Sequence, residues 1–173
     1  MPIYALKKKD KIKEPQIDPS AWVSEHAIII GDVVIGPETV IYQNAVIRGD
    51  FGKVKIGAKN VIQDAVLINT ADGFKTKIGD NNLFGFGCLV HGCTIGNNNV
   101  IGIKATVMTG VKIGNDCLIG ANSFVKMNSK VPDGQKWIGD AIKGENKAGQ
   151  MWEIGRQSWR KNGLWLKDQE HKC

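Results

Sequence analysis

Residues 94–120 read TIGNNNVIGIKATVMTGVKIGNDCLIG. An aliphatic residue stands at every sixth position: Ile95, Ile101, Val107, Ile113 and Ile119. A period of six fits neither the 3.6-residue turn of an α-helix nor the simple alternation of a strand. It fits a coil in which each hexapeptide is a short strand plus a turn. The recurring residue, the anchor, points into the core. Gly or Asn after it tolerates the unusual backbone angles of a corner.

The same period runs outward in both directions. Its phase begins as Val23, Ile29, Ile35, Ile41 and Ile47, then slips by three residues around FGK. It resumes as Ile56, Ile62 and Ile68, slips again across TADGFKT, and returns as Ile78, Phe84 and Val90. One residue is then dropped, and the run continues from Ile95 to Val125 and Val131. All eighteen anchors are apolar and eight are followed directly by Gly. A sandwich of short strands would not keep so many anchors in phase. Three hexapeptides per coil make a triangular prism, so the fold class expected is an all-β, left-handed parallel β-helix of about six coils.

The chain divides into an N-terminal arm (1–19), the β-helix domain (20–140) and a C-terminal helical segment (141–173). Met151, Ile154, Trp159, Leu164 and Trp165 are loosely helix-spaced, and Gly155 and Gly163 weaken that pattern. A C-terminal α-helix, whole or interrupted, is expected to pack along the prism or on a neighbour, with its Trp residues as packing anchors.

The hexad count also places outward side chains. Ile47, Ile68, Val90 and Val107 fall on one face of successive coils. The residues after them, Arg48, Asn69, His91 and Met108, should form a ladder with rungs about 4.8 Å apart. Residues 69 and 91 are then close enough to share one ion. Phe86 follows a different anchor on a different face, and reaches this ladder only from a neighbouring copy. Such packing closes naturally into a trimer.

Composition narrows the classes. The chain has 173 residues, enough for one domain with a real core, and a net charge of +6. Much of the excess sits at the ends, in Lys7, Lys8, Lys9, Lys11 and Lys13 and in Arg156, Arg160, Lys161, Lys167 and Lys172. Basic ends suit a solubilising surface, an acidic partner or an anionic membrane surface. No interleaved aromatic motif points to nucleic acid. The first residues, MPIYALKKKDKIKEP, carry no apolar core, so no secretory signal is expected, and no apolar run approaches a membrane span. Cys88, Cys93, Cys117 and Cys173 are expected reduced, in the cytoplasm or the mitochondrial matrix.

The stretches IRGDFGKVKIG (47–57), NVIQDAVLIN (60–69) and GFGCLVHGCTIG (85–96), in this order, resemble the γ-class carbonic anhydrases. The resemblance covers about residues 20 to 140 and includes both slips in phase. It implies a left-handed β-helix trimer with a divalent metal (zinc, cobalt or iron) at each subunit interface. In that family three histidines hold the metal, and the protein hydrates CO2. The three ligand positions fall here on Asn69, Phe86 and His91, so only His91 is an imidazole. The family's Arg and Asp match Arg48 and Asp50, and its Gln-Asp pair matches Gln63 and Asp64. These five residues, with His91 among them, are the candidate catalytic set.

A catalytic zinc needs three protein ligands and one open position. Phe offers none, and Asn offers only a weak neutral oxygen. The resemblance therefore implies a degenerate metal triad with neither zinc nor iron as an established cofactor. The expected role is non-catalytic, structural or in assembly, as homotrimer or heterotrimer with paralogous subunits. A γ-carbonic-anhydrase-like subunit of a large membrane-associated assembly, such as mitochondrial respiratory complex I, is the example. Two other readings stay open. One is a CoA-dependent acyl- or acetyltransferase of the hexapeptide type with His91 as general base. The other is a carbonic anhydrase whose altered site uses Asn69, His91 and a cysteine, Cys88 or Cys93. Arg48 and Asp50 are two apart on a strand-like segment and share a direction, as an intersubunit ion pair or to orient substrate or water. Asp64 reads as a turn residue, and His26 as solvated.

Overall fold

The computed structural model describes residues 2–8 and 11–169. Lys9, His171, Lys172 and Cys173 lie outside the described residues. The anchors behave as the period requires: all eighteen but Val23, which is half-buried, are in the core. The chain is a parallel β-solenoid with three faces. The first face is an eight-stranded sheet containing Trp22–Val23, Val40–Ile41, Val61–Ile62, Leu83–Phe84, Val100–Ile101 and Leu118–Ile119, closed by Gln135–Ile138 and the antiparallel Ala141–Glu145.

The second and third faces are one continuous sheet, because Ile28–Ile35 and Val46–Ile56 run through the corner between them as single long strands. The second face continues through Leu67–Asn69, Leu89–His91, Thr106–Val107 and Phe124–Val125. The third continues through Thr76–Ile78, Thr94–Ile95, Lys112–Ile113 and Lys130–Val131.

The stretch expected as an arm joins this ladder. Ile3–Tyr4 and Gln16–Ile17 pair in parallel with the long strand Ile28–Ile35, on the second and third faces respectively. With them the solenoid has about seven turns rather than six. Ile17 stands one period before Val23, in phase, and only Ile3 is put out of phase, by the lysine-rich hairpin Leu6–Lys8 and Lys11–Lys13 inserted between them.

The corners correct one point of the sequence reading. The residue after the anchor is not the one with unusual backbone angles. The left-handed position lies three residues after the anchor, at Glu38, Asn44, Lys59, Ala65, Asn81, Asn98, Lys104, Asp116, Asn122 and Asn128. Glycine follows the anchor for a different reason, close approach between coils. A Cβ on Gly79 would lie 2.7 Å from the carbonyl oxygen of Gly96, and one on Gly96 would lie 2.5 Å from that of Gly114.

The helix is a single uninterrupted element, Gly149–Lys167, laid over the first face. Trp152, Trp159, Leu164 and Leu166 pack on Trp22, Val40, Tyr42, Val61, Leu83 and Val100. Met151, Ile154 and Trp165, expected in the apolar stripe, are more than half exposed. The loose spacing misled because Gly163, expected to weaken the helix, is itself a contact point. A Cβ there would lie 2.8 Å from the Cβ of Val40, so glycine lets the helix backbone meet the sheet.

Candidate functional site

The second face brings Asn69 and His91 together. Leu67–Asn69 and Leu89–His91 are in register, with Asn69 opposite His91. His91 Nδ1 lies 2.6 Å from Asn69 Oδ1. A carboxamide oxygen only accepts, so Nδ1 is the donor in this contact, and the tautomer that donates there carries its lone pair on Nε2. Thr76 locks the arrangement from the third face: its hydroxyl donates to Asn69 O at 2.6 Å and accepts from Gly92 N at 3.0 Å. Sequence reasoning missed Thr76. Its signal was a hydroxyl at a strand start, the last residue of the second slip in phase.

One rung away, Arg48 and Asp50 form an ion pair within the chain, with Nη2 2.6 Å and Nε 3.2 Å from Asp50 Oδ2. Partial burial pushes the Asp50 carboxyl up, but the Arg48 guanidinium and nearby backbone amides outweigh it and hold it below the usual carboxylate range. Met108 stands above His91, because Val90 pairs with Val107. The expected ladder Arg48, Asn69, His91, Met108 is thus present.

The other candidates lie elsewhere. Phe86 is on the corner after the first face, with its ring 5.7 Å from that of Trp159, edge to face. Gln63 is buried and, with Phe86, Ile103, Leu118, Trp152 and Trp159, lines a cleft of about 330 Å³ between helix and sheet. Asp64 uses its backbone carbonyl to accept from Gly87 N at 3.0 Å. Within one chain, then, Arg48, Asp50, Asn69 and His91 share a face, whereas Gln63 and Phe86 do not join them. His26 is exposed beside Glu25, at 3.4 Å.

Cys88, Cys93 and Cys117 are free and buried. Cys88 and Cys93 point into the core. Burial pushes the Cys88 thiol far up and that of Cys93 to about 12, so neither supplies a thiolate near neutral pH. Both thiols lie inside the coil, whereas Asn69 and His91 are only half-buried on its second face.

Comparison with known proteins agrees with the solenoid fold. The family model "Bacterial transferase hexapeptide (six repeats)" matches residues 92–126. The chain is a hexapeptide-repeat protein. Its homologues include γ-carbonic-anhydrase-like proteins. Gamma carbonic anhydrase 2, mitochondrial, from Arabidopsis thaliana is 34% identical over 137 residues, covering 76% of this chain and 49% of that protein. The chain spans about half the length of the curated relatives it matches. Among solved structures, a Bacillus cereus protein provisionally assigned as an acetyltransferase superposes with a TM-score of 0.90 at 28% identity, covering 97% of this chain and 98% of its own. A hexapeptide transferase family protein from Anaplasma phagocytophilum gives 0.78 at 29% identity, covering 91% and 93%. Among the described residues, no helix is long and apolar enough to cross a membrane.

Proposed function

We propose that the chain forms a trimer, alone or with paralogous subunits, and serves a structural or assembly role rather than CO2 hydration. A γ-carbonic-anhydrase-like subunit of a larger complex, such as mitochondrial respiratory complex I, is the kind of role meant. Its place is the mitochondrial matrix or the cytoplasm. The observation that carries this reading is the bond between His91 and Asn69. In the γ-class arrangement both side chains would turn donor atoms toward one ion, and a neighbour would add the third. Here the Asn69 oxygen is engaged by His91 Nδ1, and the third position is the phenyl ring of Phe86. One imidazole nitrogen remains, which does not fit a zinc or iron that needs three ligands. Phe86, 36% exposed in the single chain, has apolar area left to bury against a neighbour's second face.

Stopped-flow CO2 hydration, with added zinc and with anaerobic iron, tests the proposal. The expected rate is that of buffer alone; acceleration proportional to protein concentration would overturn it.

A second reading rests on the free lone pair at His91 Nε2 and on the acetyltransferase assignment of the B. cereus relative. A neutral imidazole held at Nδ1 is arranged as a general base, able to take a proton from a hydroxyl or amine acceptor. Saturable acetyl-CoA binding by calorimetry, abolished in His91→Gln, would favour this reading over the first.

A further inference from the structure

The third face carries a charge pattern that neither reading uses. The residue before each anchor there points outward. After the half-buried Val34, in successive coils these are Lys55, Lys77, Thr94, Lys112 and Lys130, all exposed. Backbone register stacks them directly: Lys55 opposite Lys77, Lys77 opposite Thr94, Thr94 opposite Lys112, and Lys112 opposite Lys130. The row spans four inter-coil steps, about 19 Å. Like charges directly opposite one another in a sheet are destabilising. Among the described residues, none of the four lysines has an acidic partner within ion-pair distance. Lys75 and Lys126, also exposed, add positive charge at the corner beside the row.

On its other side the row is bordered by Gly57, Gly79, Gly96 and Gly114, the glycines that follow the anchors. A Cβ at any of them would collide with the next coil, whose backbone and the side-chain oxygens of Asp80, Asn97, Asn115 and Asp133 already fill that space. Beyond the strip, Asp80 and Asp133 turn their carboxylates to the backbone N–H groups of Ala58 and Asn115.

We infer that this face docks an extended, acid-rich segment of a partner protein, lying along the solenoid axis on the lysine side of the glycine strip. Complementary charge chooses the partner. The single-file row of lysines chooses a linear segment over a lipid headgroup layer, which would match charges spread across a plane. About six extended residues would cover the row. Contacts of this exposed kind are salt-sensitive and individually weak.

The probe is a fluorescent oligoglutamate peptide, followed by anisotropy at low and high salt. Lys77→Gln with Lys112→Gln should weaken binding about tenfold, and Lys55→Gln with Lys130→Gln similarly. Lys143→Gln with Lys147→Gln, which removes the same net charge elsewhere, should change it less than about twofold. No pair should melt below the unsubstituted chain, since these side chains are exposed and removing row lysines relieves like-charge repulsion. Equal weakening in all three pairs, or no binding of the unsubstituted chain at low salt, would overturn the inference. So would tighter binding to phosphatidylserine vesicles than to the peptide, because the partner would then be a lipid surface.

Discussion

The first and second faces start from the same inward anchors and end differently. On the first, the outward row is Trp22, Val40, Val61, Leu83, Val100 and Leu118, and the chain's own helix covers it. On the second, the outward row is Ile28, Val46, Leu67, Leu89, Thr106 and Phe124, equally apolar down to its last two members. Among the described residues no element lies over it, and these residues remain half-buried or, at Phe124, 48% exposed. The helix is tied down by particular contacts: Tyr42 donates to the Trp159 carbonyl at 2.6 Å, and Arg156, 4% exposed, donates to Asn98 O at 3.1 Å. Burying one apolar face with a helix and leaving the next open is what a subunit does when another chain supplies the second cover.

The largest effect expected from this comparison is on assembly. Leu67→Glu with Leu89→Glu places two charges on the open face. Native mass should fall from three chains to one at micromolar concentration, while the monomer keeps its circular dichroism. A chain that is monomeric before substitution would break the comparison.

Two glycines sharpen the covered face with opposite signs. Gly163→Val would drive a side chain into Val40 and cost about 2–3 kcal/mol in urea unfolding. Gly155 has open space where a Cβ would go, so Gly155→Ala should stabilise by up to about 1 kcal/mol.

The helix anchor also carries a pH signature. Glu153 is held at about 2, below its ordinary 4.5, first by the Arg156 guanidinium, against some burial, and then by Asn81 and Gln157. A depressed carboxylate contributes stability above its unfolded value and loses it as the proton binds in the fold. That contribution should be full above pH 4.5 and fade as pH falls toward 2. Glu153→Gln should flatten the slope of stability against pH in that window, and an unchanged slope would remove the anchor from the account. The smallest effect is on the second face. His91→Gln should cost only about 1 kcal/mol, the worth of one hydrogen bond; a loss beyond about 2 kcal/mol would make the imidazole a stability element.

Much of this was legible because a repeat makes each position predict its neighbours. The anchors and the Asn69–His91 rung follow from counting by sixes, since a solenoid stacks equivalent positions in register. The reason for the glycines did not follow. A glycine looks the same in sequence whether it serves a positive φ or a close approach, and only the coil spacing separates Gly79 from Gly87, which does have a positive φ. The helix face was misjudged at Ile154 and Trp165, because its contacts are set by the shape of the first face rather than by its own period. The intrachain Arg48–Asp50 pair was half legible: two-residue spacing fixed the shared direction, but not which chain supplies the partner.

The claim on which the functional reading stands is that Asn69, His91 and Phe86 cannot retain a catalytic ion. It is tested most directly by the metal content of the chain purified without chelators, measured beside the variant Asn69→His with Phe86→His. The account predicts zinc and iron far below one per chain in the natural sequence, and uptake approaching one per chain in the variant. Stoichiometric metal in the unsubstituted protein would contradict it.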